Sequence, residues 1–225
     1  MGTILLQTAD WFFMKISEVF YSIQGESSYS GRPCAFIRLA GCDLRCSYCD
    51  TEYAFSEGTE TSVEGILQEI EAFPTRLALV TGGEPMLQPS VHDLIRCLLD
   101  KKYEVLLETG GHRSLKDVDP RVHKIVDIKC PSSGMEEHND YTNILYLNSS
   151  DELKFVIGDR EDFDWACEII RRYQERLKAG GIHFSPVFGK VPFEDLAGWI
   201  LSCGLPVRLQ LQLHKIIWPD IDRGK

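Results

Sequence analysis

The sequence predicts an α/β fold, an incomplete, open βα barrel with some crossover helices shortened or missing. Three observations carry this. Strand-like and helix-like segments alternate along most of the 225 residues, as βα units and a mostly parallel sheet require. Two connections, 110–123 and 130–151, have weak helical periodicity and many polar or turn residues. A closed eightfold barrel usually takes about 250 residues, more than this chain has. One domain over 15–225 is expected, with residues 1–14 as an extension and Met14 as a possible start.

The elements follow in order. KISEVFYSI (15–23) and PCAFIRLA (33–40) read as strands. Thr61 and Glu64 form a capping-box pattern ahead of the helical face Val63, Ile66, Leu67 and Ile70. LALVT (77–81) is a short buried strand. A second helix starts near Ser90, with Val91, Leu94, Ile95 and Leu98 on one stripe. Residues 103–109, 124–129 and 152–157 read as further strands, 162–178 as a long helix and 183–187 as a strand. The helix over 194–203 stops at Gly204, a suitable residue just past a helix end. VRLQLQL (207–213) alternates strictly and reads as the last strand.

Composition is that of a soluble globular chain. The net charge of −10, with no basic run, argues against a nucleic-acid partner. No stretch is apolar enough to span a membrane. The start, MGTILLQTADWFFMK, lacks a basic n-region and makes a poor signal peptide. Eight cysteines in a chain of this size and character point to reduced thiols and the cytoplasm. Cys97, Cys167 and Cys203 lie in helical patterns and are expected to pack as small core residues.

Chemistry concentrates after the strands, where α/β folds place their active sites. The run GCDLRCSYCDT puts Cys42, Cys46 and Cys49 in a C-x₃-C-x₂-C spacing. Three thiolates leave one iron of a [4Fe–4S] cluster open for a small-molecule ligand. A zinc site would normally show a second ligand pair. Cys130 or His112 could supply a fourth ligand, but neither is paired.

With Tyr48 before the last cysteine and Gly82-Gly83-Glu84-Pro85 one βα unit later, the chain resembles the radical S-adenosylmethionine (SAM) superfamily. FYSIQGES (20–27), FIRLAGCDLRCSYCDT (36–51), TGGEP (81–85) and QLHKIIWP (212–219) resemble more closely its 7-carboxy-7-deazaguanine synthase family. The resemblance implies an open barrel of the radical SAM type, a [4Fe–4S] cluster on Cys42, Cys46 and Cys49, SAM at the open iron, and Mg²⁺ on Thr51. It implies conversion of 6-carboxy-5,6,7,8-tetrahydropterin to 7-carboxy-7-deazaguanine with loss of ammonia. A flavodoxin- or ferredoxin-type one-electron reductant and a homodimer follow from it as well.

By the same resemblance, Ile23, Gln24, Gly25, Arg38 and Thr81 bind substrate. Tyr48, Asp50, Gly83, Glu84, Asp127, Ile128, Lys129, Ser185, Pro186, Val187 and Phe188 contact SAM. Asp127-Ile128-Lys129 departs from a common S-P-K version, so backbone contacts are expected there. Arg38 has a plain alternative as an ion-paired residue, Gln24 and Glu26 as a solvated turn, and His214 as a structural histidine. Two other functions remain open at this point: a glycyl-radical-enzyme activase, and a non-catalytic iron–sulfur electron carrier.

Overall fold

The computed structural model describes residues 13–221 and 223–225. The expected extension over 1–12 lies outside the described residues. Phe13 and Met14, placed in that extension by the sequence, instead begin the first strand, and Met14 is buried.

Among the described residues nine strands form one open sheet: β1 Phe13–Ile23, β2 Pro33–Leu39, β3 Thr59–Ser62, β4 Leu77–Gly82, β5 Glu104–Thr109, β6 His123–Ile128, β7 Glu152–Ile157, β8 Gly181–Pro186 and β9 Arg208–Leu209. Their spatial order is β3-β1-β2-β4-β5-β6-β7-β8-β9. From β2 to β9 every pairing is parallel, whereas β1 runs antiparallel to both β2 and β3. The helices are α1 Val63–Glu71, α2 Val91–Asp100, α3 Arg160–Tyr173, α4 Phe193–Cys203 and α5 Leu213–Ile217. The β5–β6 connection has no helix. The β6–β7 connection has only 3-10 turns, at Pro131–Ser133, Glu136–His138 and Tyr141–Tyr146. The sheet is therefore open, with two crossover helices missing where the sequence lacked helical periodicity.

Strand alternation sorts the residues between two faces. Ala35, Ile37, Ala78, Val80, Val105, Leu107, Val126, Ile128, Leu153 and Phe155 join the core that packs against the helices. Leu77, Leu79, Leu106, Ile125, Cys34 and Phe36 form a smaller apolar cluster. Two residues further along their strands stand Arg38, Thr81, Glu108 and Asp127, which line the main cavity with Lys154 on β7. A period of two thus builds a dry floor and a charged wall on one face.

Three elements and two cysteines differ from expectation. The cap of α1 is Ser62, which accepts from Gly65 N at 3.1 Å, one residue later than the Thr61 cap expected; both residues also belong to the edge strand β3. Helix α3 ends at Tyr173, and Arg176 N and Leu177 N both turn back to the Tyr173 carbonyl. β9 is only two residues long. Gln210 N still bonds the Phe184 carbonyl, but its side chain turns away to Ser27 N and Glu26, and the chain leaves the sheet to form α5. Cys167 is buried as expected, whereas Cys97 and Cys203 are only half-buried.

Candidate active site

A cavity of about 470 Å³ opens at the carboxyl ends of the parallel strands. Cys42, Cys46 and Cys49 all line it, half-buried, with free thiols. Burial raises all three thiols above their ordinary value, so a bound metal is what would hold them as thiolates. The loop that carries them is tied down at several points. Ser47 N donates to the Ser133 carbonyl at 3.0 Å and Ser47 Oγ to the Ser132 carbonyl at 2.6 Å. Asp162 accepts from Ser132 N and so anchors that turn to α3. The Tyr48 hydroxyl donates to the Val156 carbonyl at 3.3 Å, and burial pushes its phenol well up.

The Gly82-Gly83 turn packs on the same loop. Gly83 N donates to the Leu39 carbonyl at 3.0 Å and Glu84 N to the Gly41 carbonyl at 2.8 Å. A Cβ on Gly83 would collide with the Gly41 carbonyl and lie 2.7 Å from Cys42 Cβ. The double glycine is thus required for backbone to reach the cysteine loop. Glu84, 1% exposed, accepts from Met86 N at 3.0 Å, Thr109 Oγ1 at 2.7 Å and Gly110 N at 2.9 Å. Its carboxylate braces the ends of β4 and β5 and has about one of its four acceptor positions left.

On the opposite wall Lys154 sits among carboxylates. Its ammonium lies 2.7 Å from Glu26, 2.7 Å from Glu108 and 3.6 Å from Asp127. Burial alone would lower it, but these carboxylates hold it well above the ordinary lysine value. Glu26 is the converse: burial works against its charge, and Lys154 keeps it below the usual carboxylate range. Lys129, 3.0 Å from Asp127, is likewise held up against burial. Asp127 Oδ1 is buried with no hydrogen-bond partner among the described residues.

Near the floor, Gln24 is buried, and its Oε1 accepts from Glu26 N at 3.3 Å. Its Nε2 makes no protein hydrogen bond among the described residues. A Cβ on Gly25 would collide with His214 Nδ1, so this glycine admits the C-terminal segment. That segment brings His214, Lys215, Trp218, Pro219 and Ile221 to the cavity. Burial lowers the His214 imidazole against the pull of Glu26 and Asp50. The cavity wall crowds Asp50, but Lys215 at 2.8 Å overrides that and holds its carboxyl well down. Thr51 Oγ1 donates to Asp50 Oδ1 at 2.8 Å.

The cavity gathers the three cysteines with Ile23, Gln24, Gly25, Arg38, Tyr48, Asp50, Thr51, Thr81, Gly83, Glu84, Asp127, Lys129, Val187 and Phe188. Three of the expected residues do not bring a side chain to it. The Ile128 side chain is on the helix face of β6, in the core. Ser185 is buried and donates to the Gln210 carbonyl at 3.0 Å. Pro186 ends β8 paired with Ile157. Sequence reasoning missed Lys154 and Glu108, and it read His214 and Glu26 as bland. Strand alternation from Glu152 could have put Lys154 on a face, but not opposite Glu26.

Comparison with known proteins agrees with this geometry. A family model described as the Radical SAM superfamily matches residues 36–201. The chain is 49% identical over 214 residues to 7-carboxy-7-deazaguanine synthase of Chlorobaculum tepidum, covering 94% of this chain and 97% of that one. It is 42% identical to the protein of that name in Koribacter versatilis, covering 94% of this chain and 100% of the relative. Its fold resembles the crystal structure of QueE from Escherichia coli with a TM-score of 0.74 at 23% identity, over 89% of this chain and 94% of that one.

Proposed function

This chain belongs to the 7-carboxy-7-deazaguanine synthase family of the radical SAM superfamily, and from that premise we propose that it converts 6-carboxy-5,6,7,8-tetrahydropterin to 7-carboxy-7-deazaguanine with loss of ammonia. It is a lyase of the radical SAM type and uses a [4Fe–4S] cluster and SAM. The observation that supports the reading most is one cavity in which three free thiols, a glycine turn and a charged wall meet.

The residues suit the absent groups. Three half-buried thiols on an anchored loop match a cluster with one open corner. The Gly83 cradle leaves backbone, rather than a side chain, against that loop. When bound, the cluster and SAM would supply one-electron chemistry able to remove a hydrogen atom from substrate.

The chain's own residues position and shield. Arg38 offers its guanidinium to the substrate carboxylate, a bidentate match. Gln24, both donor and acceptor, reads the amide edge of the pterin ring. Thr51, its hydroxyl bonded to Asp50, would hold a Mg²⁺ that helps to neutralise and orient the substrate. Tyr48, Asp50, Gly83 and Glu84, with the backbone at 127–129 and 185–188, face SAM. His214 and Trp218 on the C-terminal segment line the cavity and limit access of water to it. The reductant is a flavodoxin or ferredoxin, the protein works as a homodimer, and its place is the cytoplasm. Among the described residues no helix is long and apolar enough to cross a membrane.

The test is anaerobic turnover. Reconstituted protein with dithionite, SAM and the carboxytetrahydropterin should form the deazaguanine. Thr51→Ala should lose Mg²⁺ stimulation while still binding SAM. SAM cleavage that needs a protein partner would instead select a glycyl-radical activase, and failure to bind SAM would leave an electron carrier.

A further inference from the structure

We propose that Glu18 is a positioning residue for Arg38, gripping one edge of the guanidinium so that the other edge faces the ligand's carboxylate. This rests on the functional reading above. Glu18 is not among the residues that line the cavity, so it acts through Arg38, which is.

The placement starts in the backbone. The β1–β2 register slips between Ile16 and Glu18, a bulge of the kind that re-aims a side chain beside an active site. Past the slip, Glu18 stands directly opposite Arg38. Glu18 Oε1 accepts from Arg38 Nε at 2.7 Å and from the Tyr53 hydroxyl at 2.7 Å. Its Oε2 accepts from Gly224 N at 3.2 Å. Both side chains of the pair are only 16% exposed.

A guanidinium is planar and carries five N–H donors. Gripped at Nε, it keeps its terminal amino groups, which make no protein hydrogen bond among the described residues. Phe20, stacked on Phe36, presents its ring 5.9 Å from the guanidinium carbon. Tyr53 follows Thr51 by two residues, so a single carboxylate oxygen links the arginine strand to the loop that carries Thr51. Glu18 therefore sets where a bound carboxylate sits relative to Thr51.

The experiment compares two ligands: 6-carboxy-5,6,7,8-tetrahydropterin, and tetrahydropterin without the carboxylate. Binding to the reconstituted, SAM-loaded protein is measured anaerobically by calorimetry for the wild type, Glu18→Ala and Glu18→Gln. The wild type should prefer the carboxylated ligand. Glu18→Ala should lose about tenfold or more in affinity for that ligand alone, since small misplacements of a binding group cost up to about a hundredfold. Its KM should rise more than its kcat falls. Glu18→Gln keeps an acceptor for Nε and should lose less. Unchanged affinity in Glu18→Ala, or equal loss for both ligands, overturns the proposal. Should Glu18→Ala fail to fold, Glu18→Met, which keeps the bulk and offers no oxygen to Arg38 Nε, decides by the same criterion. A wild type indifferent to the carboxylate would sink the functional reading instead. Glu18 would then be judged by a crystal structure of Glu18→Ala: a displaced Arg38 supports the positioning role, and an unmoved Arg38 overturns it.

Discussion

Lys154 shows how one buried charge can organise a site. It is 4% exposed, on a central strand, and three carboxylates face it. Removing one partner from a buried ion pair typically costs about 3–5 kcal/mol, because the remaining charge is left uncompensated. Lys154→Met should therefore destabilise the fold by about that amount in urea unfolding. Lys154→Arg should recover most of the stability. A Lys154→Met protein as stable as the wild type would mean that the carboxylates are neutralised by another route. At this scale the motif residues were legible in the sequence: Cys42, Cys46, Cys49, Arg38, Thr81 and Gly83 all reach one cavity. Lys154 and Glu108 were not, because a strand's alternation fixes the face of a side chain and leaves its partners to strand order. Arg38 is ion-paired through Nε, as its plain alternative has it, and its terminal amino groups stay open for the proposed ligand contact.

At the scale of elements, backbone approach decides more than side chains do. The turn after β4 reaches the cysteine loop only because residue 83 has no side chain. Gly83→Ala should cost about 1–3 kcal/mol, as overpacking does, and speed the loss of iron to a chelator. Thermal unfolding and iron content over time measure both effects. Normal values for both would show that the loop yields freely. The C-terminal segment was misread for a related reason. VRLQLQL alternates as a strand should, yet Gln210 gives its side chain to Ser27 and Glu26. Leu213 N then bonds the Gly25 carbonyl at 3.1 Å, and the strand is abandoned for a helix beside the cavity. Tertiary hydrogen bonds overrode a local pattern. The missing crossover helices, by contrast, were legible, since polar turn-rich runs cannot bury a helical face.

At the scale of the whole molecule, the open sheet concentrates charge on one face. Glu26 and Glu152 are both held below the usual carboxylate range against the opposing effect of burial. Glu26 relies on Lys154; Glu152 relies on His123, His183 and Ser28. A carboxyl lowered by folding stabilises fully above its unfolded pKa, about 4.3 for glutamate, and loses that contribution as pH falls toward the folded value. Stability should thus be level above about pH 5 and fall steeply below it. Glu152→Gln should flatten that acid limb, as followed by urea unfolding across pH. An unaltered limb would assign acid sensitivity to other groups.

The central claim is that three cysteines leave one iron of the cluster for SAM. Its most direct test is electron–nuclear double resonance on the dithionite-reduced, reconstituted protein with SAM labelled at the amino nitrogen. A hyperfine coupling from the label to the cluster is the expected result. A cluster spectrum that SAM leaves unchanged, with no coupling to the label, would contradict the claim.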